Sequence, residues 1–308
     1  VKVYFGLEEF HAVENAIVTT GTFDGVHIGH RKIIKRIKEL AVKEKGQSVL
    51  LTFHPHPRLV LFPQNNDLKL ITTQEEKIDL LDSAGIDHLI IHPFTKDFSR
   101  LTAVEYVRDI LVNTLQTKRL VIGYDHHFGR NRDGSLEHLR EFEPVYNFTV
   151  EEIPAQDIDE IHVSSTKIRE ALQKGDVQTA SAYLGYNFIL TGKVVKGNAI
   201  GKSMGFPTAN LDVYDKHKII PADGVYAVIC HIGNKSFSAM LNIGIKPTVS
   251  QIPSKTIEVH IFNFDQDIYG ENIRISFVER IRDEKKFENT KLLIKQLEID
   301  KYKCLQLL

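Results

Sequence analysis

Tryptophan is missing from the 308-residue chain, and cysteine and methionine occur only twice each. Cys230 and Cys304 lie far apart and without metal-ligand spacing, which excludes a disulfide framework and suits a reducing cytosol. Neither sign of charge is in excess. The formal net charge is -1 despite 39 Lys and Arg residues, so there is no electrostatic case for nucleic acid or an anionic membrane as partner. Any phosphate binding must be local. No apolar stretch approaches spanning length, and Lys2, Glu8 and Glu9 interrupt the N-terminal residues where a signal peptide would need an apolar run. A cytoplasmic protein is expected, with homo-oligomer formation left open. What is present is an apolar fraction of 42% over a length sufficient for two domains with separate cores.

The chain is organised around Gly21-Thr22-Phe23-Asp24-Gly25-Val26-His27-Ile28-Gly29-His30. Ahead of it, Ala16, Ile17 and Val18 read as a buried strand; behind it, Ile33, Ile34, Ile37, Leu40 and Ala41 repeat at helical spacing until Gly46, and Ser48 to Phe53 form a second strand. Such a βαβ unit binds ligands outside the carboxyl ends of its strands. His27 and His30 are three apart, so both rings lie on one side of the first helical turn. Free backbone N–H groups and the helix dipole favour an anion there, and Gly21, Gly25 and Gly29 let a phosphate approach the main chain. Imidazole N–H groups add donors for charge developing at phosphorus. Two surface histidines beside an ordinary loop are the plain alternative.

The ten-residue string resembles the first motif of prokaryotic bifunctional riboflavin kinase/FAD synthetases, within the HxGH nucleotidyltransferases. That resemblance implies ATP contacts from Gly21, Phe23, Asp24, Gly25, His27 and His30, the two histidines being catalytic. Thr52-Phe53-His54-Pro55-His56-Pro57 forms a proline-ordered turn at a strand end. The resemblance assigns His54, Pro55 and His56 to the nucleotide pocket as flavin contacts. Thr73-x-x-Glu76 and Thr102-x-x-Glu105 read as capping boxes before helices to about Ala84 and Leu115, followed by strands His88 to His92 and Arg119 to Gly123. Alternation of this kind predicts a doubly wound parallel sheet. The segment Gly123 to Gly134 is similar to the family's second site loop, implying flavin contacts from Asp125, Phe128 and Arg132, whereas His126 stands where the family typically has an aromatic. Ser164-Ser165-Thr166-Lys167-Ile168-Arg169 caps a helix in its own right. It resembles the family's SSTxIR motif, which makes Ser164, Ser165, Thr166 and Arg169 partners of the HxGH loop across one triphosphate.

Around Gly185 the pattern turns to short strands: Phe188 to Lys196, Val225 to Ile232, Lys235 to Asn242 across a Gly233-Asn234 turn, Ile257 to Phe264 and Asn272 to Val278, then a helix from about Glu288 to Leu305. A small antiparallel barrel is expected. Gly197 to Ser203 nearly matches a Walker A loop but has one residue too few between its glycines, and Pro207 would break the helix such a loop requires. With Gly205 and Pro207-Thr208-Ala209-Asn210 it resembles instead the glycine-spaced loop and PTAN motif of riboflavin kinases. ATP contacts are implied for Gly197, Gly201, Lys202, Gly205, Pro207, Thr208 and Asn210. Thr208 and Asn210 also offer hard oxygen donors to Mg2+. Asn242 to Thr248 resembles the family's NIGxRPT segment with Lys246 for Arg, a change that loses the planar fork. Glu258 is a lone carboxylate in an alternating apolar strand; the resemblance makes it the catalytic base, and assigns flavin contacts to Arg280, Arg282 and Phe287.

The expectation is therefore an α/β nucleotidyltransferase-type domain, residues 1–184, and a flavokinase-type antiparallel β-barrel with a terminal helix, residues 185–308. Riboflavin and ATP would give FMN, then FMN and ATP would give FAD, with Mg2+ in both steps. Three rivals stand beside this. One is an HxGH adenylyltransferase for another small phosphate, which leaves the PTAN string and Glu258 unexplained. Another is a flavin-binding regulator without catalysis, and the third a histidine-ligated zinc hydrolase, for which no H-E-x-x-H or Cys/His spacing is present.

Overall fold

A computed structural model describes residues 1–64, 67–124, 126–154, 163–197, 201, 204–246 and 254–308. The chain folds into two compact units: Val1–Leu68 with Thr72–Ser164, and Ser165–Leu308 with the three-residue strap Lys69–Ile71. The FAD-side motifs therefore divide between units at Ser164, twenty residues ahead of the expected functional boundary.

In the first unit, strands β1 (Lys2–Tyr4), β2 (Ala16–Thr20), β3 (Gln47–His54), β4 (His88–Pro93), β5 (Thr117–Gly123) and β6 (Thr149–Ile153) build one parallel sheet in the order β1-β4-β3-β2-β5-β6. Alternate residues feed opposite faces, as pleating requires. Val18, Val49, Leu51 and Leu120 enter one cluster with Val107 and Leu111, whereas Ile17 and Val121 pack with Ile37 and Leu40, and Leu50 and Leu89 with Ile34 and Leu81. Helices α1 (Ile28–Lys43) and α3 (Gln74–Ser83) thus cover one face; α4, beginning at Ala103–Glu105, and α5 (Leu136–Tyr146) cover the other. Between β2 and β5 the strand order reverses direction, and ligand crevices form at such a switch point.

Both expected capping boxes exist with reciprocal bonds: Glu76 N donates to Thr73 Oγ1 at 3.2 Å and Thr73 N to Glu76 at 3.0 Å, and Thr102 and Glu105 repeat the pattern. The helix from Thr102 is not α-helical to Leu115, however. Over Tyr106–Thr114 it widens to π spacing, with Leu115 N donating to Ile110 O at 2.9 Å. β1, α5, β6 and the five-residue α2 (Pro57–Leu61) are additions to the expected elements.

The second unit opens with α6 (Ser165–Lys174) and α7 (Val177–Leu184). Then β7 (Ile189–Val195), β8 (Ala209–Asp212), β9 (Gly224–Ile232), β10 (Lys235–Lys246), β11 (Ser254–Ile261) and β12 (Asn272–Arg282) close an antiparallel barrel in the order β10-β11-β8-β7-β12-β9. Ile232 pairs Lys235 across the two-residue turn. β10 and β12 run several residues past the expected ends. The terminal helix α8 (Thr290–Leu307), capped by Asn289, brings Cys304, Ile294 and Leu297 to the cluster around Phe206, Val225 and Met240. Cys230 and Cys304 are free and buried, and burial pushes both thiols up to about 12.

Candidate active sites

β2 ends at Thr20, and the loop that follows is held under strain. Phe23 and Val26 both have positive φ, 47° and 39°. A β-branched residue seldom takes that conformation, and such outliers persist only where surroundings over-determine them. Here the determinants are visible. Asp24, 2% exposed, accepts from Thr72 N at 3.2 Å and from Thr72 Oγ1 at 3.4 Å, while Gly25 N donates to Thr72 Oγ1 at 3.2 Å. Lys77, on α3, donates from Nζ to Thr22 O at 2.9 Å; burial lowers its pKa and the Asp24 charge works the other way.

His27 is the N-cap of α1, its Nδ1 accepting from His30 N at 3.4 Å. In a neutral ring this leaves the proton on Nε2. The His30 ring stacks on His27 with centroids 3.7 Å apart and lies 4.8 Å from that of Phe23. Burial, then the nearby His27 and Lys77 charges, hold its pKa well below the ordinary histidine value.

A cavity of about 1300 Å³ opens beside this loop. Its walls come from Thr20–Thr22 after β2, from Phe53 and His56–Arg58 after β3, from Phe94 and Phe98 after β4, and from His126–Arg132 after β5, with Tyr106 from α4. The aromatic wall is continuous: Phe53 and Phe94 centroids are 5.6 Å apart, Phe53 and Phe98 5.4 Å, Tyr106 and Phe128 5.4 Å. Arg58, Arg100, Arg130 and Arg132 add cationic groups. A flat conjugated ligand bearing a phosphate fits that chemistry. His56, Phe128 and Arg132 line the cavity as the resemblance implies; His54, Pro55, His27 and His30 do not, and Asp125 lies outside the described residues. Ser165 begins α6, with Thr166 exposed, and Arg169 Nε donates to Lys69 O at 2.7 Å inside the second unit.

In the barrel, a second cavity of about 260 Å³ is lined by Gly201, Thr208, Asn210, Asn242, Glu258, Arg282 and Phe287 among others. Glu258 faces Asn210 on β8 and Asn242 on β10 directly across the two ladders, so a carboxylate and two amides share one sheet face. Thr208, Asn210 and Glu258 are hard oxygen donors, a set that suits a magnesium-sized cation carried with a nucleotide. Gly197 packs where a Cβ would strike the Asn210 side chain, and Gly205 takes φ +79°. The Pro207 carbonyl accepts from His260 Nδ1 at 2.7 Å. Lys202 lies outside the described residues. Arg282 lines the cavity, its guanidinium ion-paired to the fully buried Asp300 at 2.8 Å and 5.8 Å from the Phe287 ring centroid. Arg280 is not among the lining residues. A bulge between Arg280 and Arg282 breaks the pleat, and Arg280 turns to Asp223 O, Asp283 and the Tyr226 ring instead.

A FAD synthetase family model matches residues 9–167 and a riboflavin kinase family model residues 184–308. Bifunctional riboflavin kinase/FMN adenylyltransferases of Buchnera aphidicola, Bacillus subtilis and Escherichia coli are 36%, 35% and 33% identical to this chain. The alignments cover 97%, 94% and 93% of it, and 96%, 92% and 91% of those relatives. The chain belongs to the bifunctional riboflavin kinase/FMN adenylyltransferase family. It is an ATP-using enzyme with both activities, a kinase and a nucleotidyltransferase of flavin synthesis. A solved Streptococcus pneumoniae chain described as a macrolide-efflux protein is 32% identical, with a TM-score of 0.88 over 97% of each chain. Among the described residues no helix is long and apolar enough to cross a membrane.

Sequence reasoning missed Thr72, Lys77 and Asn242 as parts of these sites, and named His126 in the second site loop without assigning it a contact. Thr72 and Lys77 flank a capping box that explains itself structurally, so nothing marked them as supports of a loop fifty residues earlier. For Asn242 a signal existed: it opens the NIGxRPT-like string.

Proposed function

We propose that the two reactions are divided between the two cavities: FMN is adenylylated beside the strained loop of the parallel sheet, and riboflavin is phosphorylated in the barrel at Glu258, with Mg2+ carried by each ATP. The observation that carries this reading is the contrast between the cavities. One is a large aromatic box with arginines at a topological switch point; the other is small and sets one carboxylate between two amides. A functional boundary near residues 184 and 185 is supported by the two matched ranges.

In the barrel, the riboflavin 5′-hydroxyl attacks the γ-phosphorus while Glu258 accepts its proton; ADP leaves. Thr208 and Asn210 would hold Mg2+, which offsets phosphate charge when bound. In the first unit, a phosphate oxygen of FMN attacks the α-phosphorus of ATP and pyrophosphate leaves. His27 and His30 donate to the phosphate oxygens. Neither step needs a covalent enzyme intermediate, since positioning and charge stabilisation suffice.

Supplying ATP and Mg2+ with either riboflavin or FMN, and separating the flavins by chromatography, tests the division when combined with one variant in each cavity. Glu258→Gln is expected to stop only FMN formation, and His27→Ala with His30→Ala only FAD formation. Loss of both activities in both variants would overturn it.

A further inference from the structure

The terminal helix carries a carboxylate inside its apolar stripe. Leu293, Leu297, Asp300 and Cys304 are spaced as successive turns on one face of α8. Leu293 and Leu297 line the barrel cavity, and Cys304 lies in the cluster with Phe206, Val225 and Met240, which line it too. Asp300 is fully buried and does not itself reach the cavity. Its charge is answered by Arg282 at the end of β12. Arg282 Nε donates to Asp300 Oδ2 at 2.9 Å, with Nη2 2.8 Å from the same oxygen, while Gln296 Nε2 donates to Oδ1 at 2.8 Å. The third guanidinium nitrogen, Nη1, donates to Asp283 O at 2.9 Å. Arg282 is thus held through all three nitrogens, and it still lines the cavity together with Asn242, Glu258 and Phe287.

Stability alone does not account for this arrangement. A buried ion pair adds little over apolar side chains of similar volume, because both charges must be taken out of water. A leucine in place of Asp300 would continue the stripe of Leu293 and Leu297 and need no partner. What the pair supplies is direction. The pairing of β12 with β9 shifts between Arg280 and Arg282, so the strand's pleat does not by itself fix where Arg282 points. Asp300 fixes it, and the long side chain gives up its rotamer freedom before a ligand arrives. We propose that Asp300 is a positioning residue for riboflavin phosphorylation, holding the Arg282 guanidinium from the terminal helix in the orientation that engages bound riboflavin. This rests on the kinase reaction taking place in the barrel, with Arg282 as a flavin contact there. It gives α8 a part in substrate binding beyond closing the core.

The test is steady-state riboflavin phosphorylation by the full chain, with melting curves on the same preparations, for wild type, Asp300→Asn, Arg282→Met, and Arg282→Met combined with Asp300→Leu. Asp300→Asn keeps the size and removes the charge. It is expected to raise the KM for riboflavin about three- to tenfold, the usual cost of immobilising one long side chain on binding, with kcat and the KM for ATP little changed. Its melting temperature should fall, since Arg282 is left without its counter-charge. The double variant removes both charges, so melting should return towards that of wild type while the riboflavin KM stays as high as in Arg282→Met alone. That separation is what a merely structural Asp300 would not show, because its kinetic effect would recover with stability. An unchanged riboflavin KM in Asp300→Asn, a KM in the double variant above that of Arg282→Met, or a KM that recovers along with melting would overturn the inference. If Glu258→Gln left riboflavin phosphorylation unchanged, the placement of that reaction in the barrel would fall instead.

Discussion

His27 and His30 lie ring on ring, 3.7 Å between centroids and 15° from parallel. Two imidazolium ions would repel strongly at that separation, and the lowered pKa of His30 leaves that ring neutral. The pair therefore acts through N–H donors rather than through two full charges. Removing one such donor from a pre-organised site costs roughly 3 to 4 kcal/mol in transition-state stabilisation. The double alanine variant is expected to lose FAD formation by at least a thousandfold on the scale of about 1.4 kcal/mol per tenfold. Normal conversion of supplied FMN to FAD would remove both histidines from the reaction.

Glu258 sits between Asn210 and Asn242 across the β8-β11-β10 ladders. Glutamine there keeps volume and hydrogen bonding but removes basicity. Since general-base catalysis is worth roughly 10²- to 10⁴-fold, Glu258→Gln should lower kcat for riboflavin phosphorylation by that factor with little change in melting temperature. A structural ion-pair partner would behave in the opposite way, losing stability and keeping turnover. Measuring kcat and melting on one preparation separates the two.

How far the fold and sites could be read in advance follows the range of the interactions that make them. Thr73 with Glu76 and Thr102 with Glu105 are three residues apart, and both capping boxes formed. The strand-loop-helix unit around His27 is likewise local, as is the alternation that turns Glu258 into the barrel cavity. The placement of Arg280, given a flavin contact by the family resemblance and absent from the barrel cavity's lining, shows what local pattern does not carry. Residues two apart share a face of a regular strand, but the bulge between Arg280 and Arg282 arises from pairing with β9, which no local pattern announces. Lys77 reaching Thr22, and Lys69–Ile71 joining the second unit, depend on contacts distant in sequence.

Stability should fall in mild acid. Burial lowers the pKa of His30, His88, His92, His126, His231 and His260, so the folded chain resists protons that the unfolded chain binds. Each contribution is present above the unfolded value of about 6.5 and is lost as pH falls below it; for His126 the loss continues down to about 4. Denaturant midpoints are expected to drop between pH 7.5 and 5, and less steeply in His126→Phe. A flat profile over that interval would contradict the burial of these rings.

Lys218 provides a test of the strap. It is 2% exposed, and its Nζ donates to Ile71 O at 2.7 Å and Ile189 O at 2.8 Å while lying 4.6 Å from the Phe188 ring centroid. The strap is also held by Leu70 N to His217 O at 2.6 Å, Ile219 N to Leu70 O at 2.8 Å and Arg169 Nε to Lys69 O at 2.7 Å. Lys218→Met keeps the length and apolar stem but strips two buried carbonyls of their donor. Each orphaned acceptor costs about 1 to 3 kcal/mol, partly offset because the ammonium no longer has to be buried. A net loss of about 2 to 4 kcal/mol is expected, lowering the melting transition of the second unit by roughly 5 to 10 °C. Because that unit carries the barrel, thermal inactivation of riboflavin phosphorylation reads the loss directly. An unchanged inactivation temperature would mean that water or another side chain satisfies Ile71 and Ile189 once the lysine is gone.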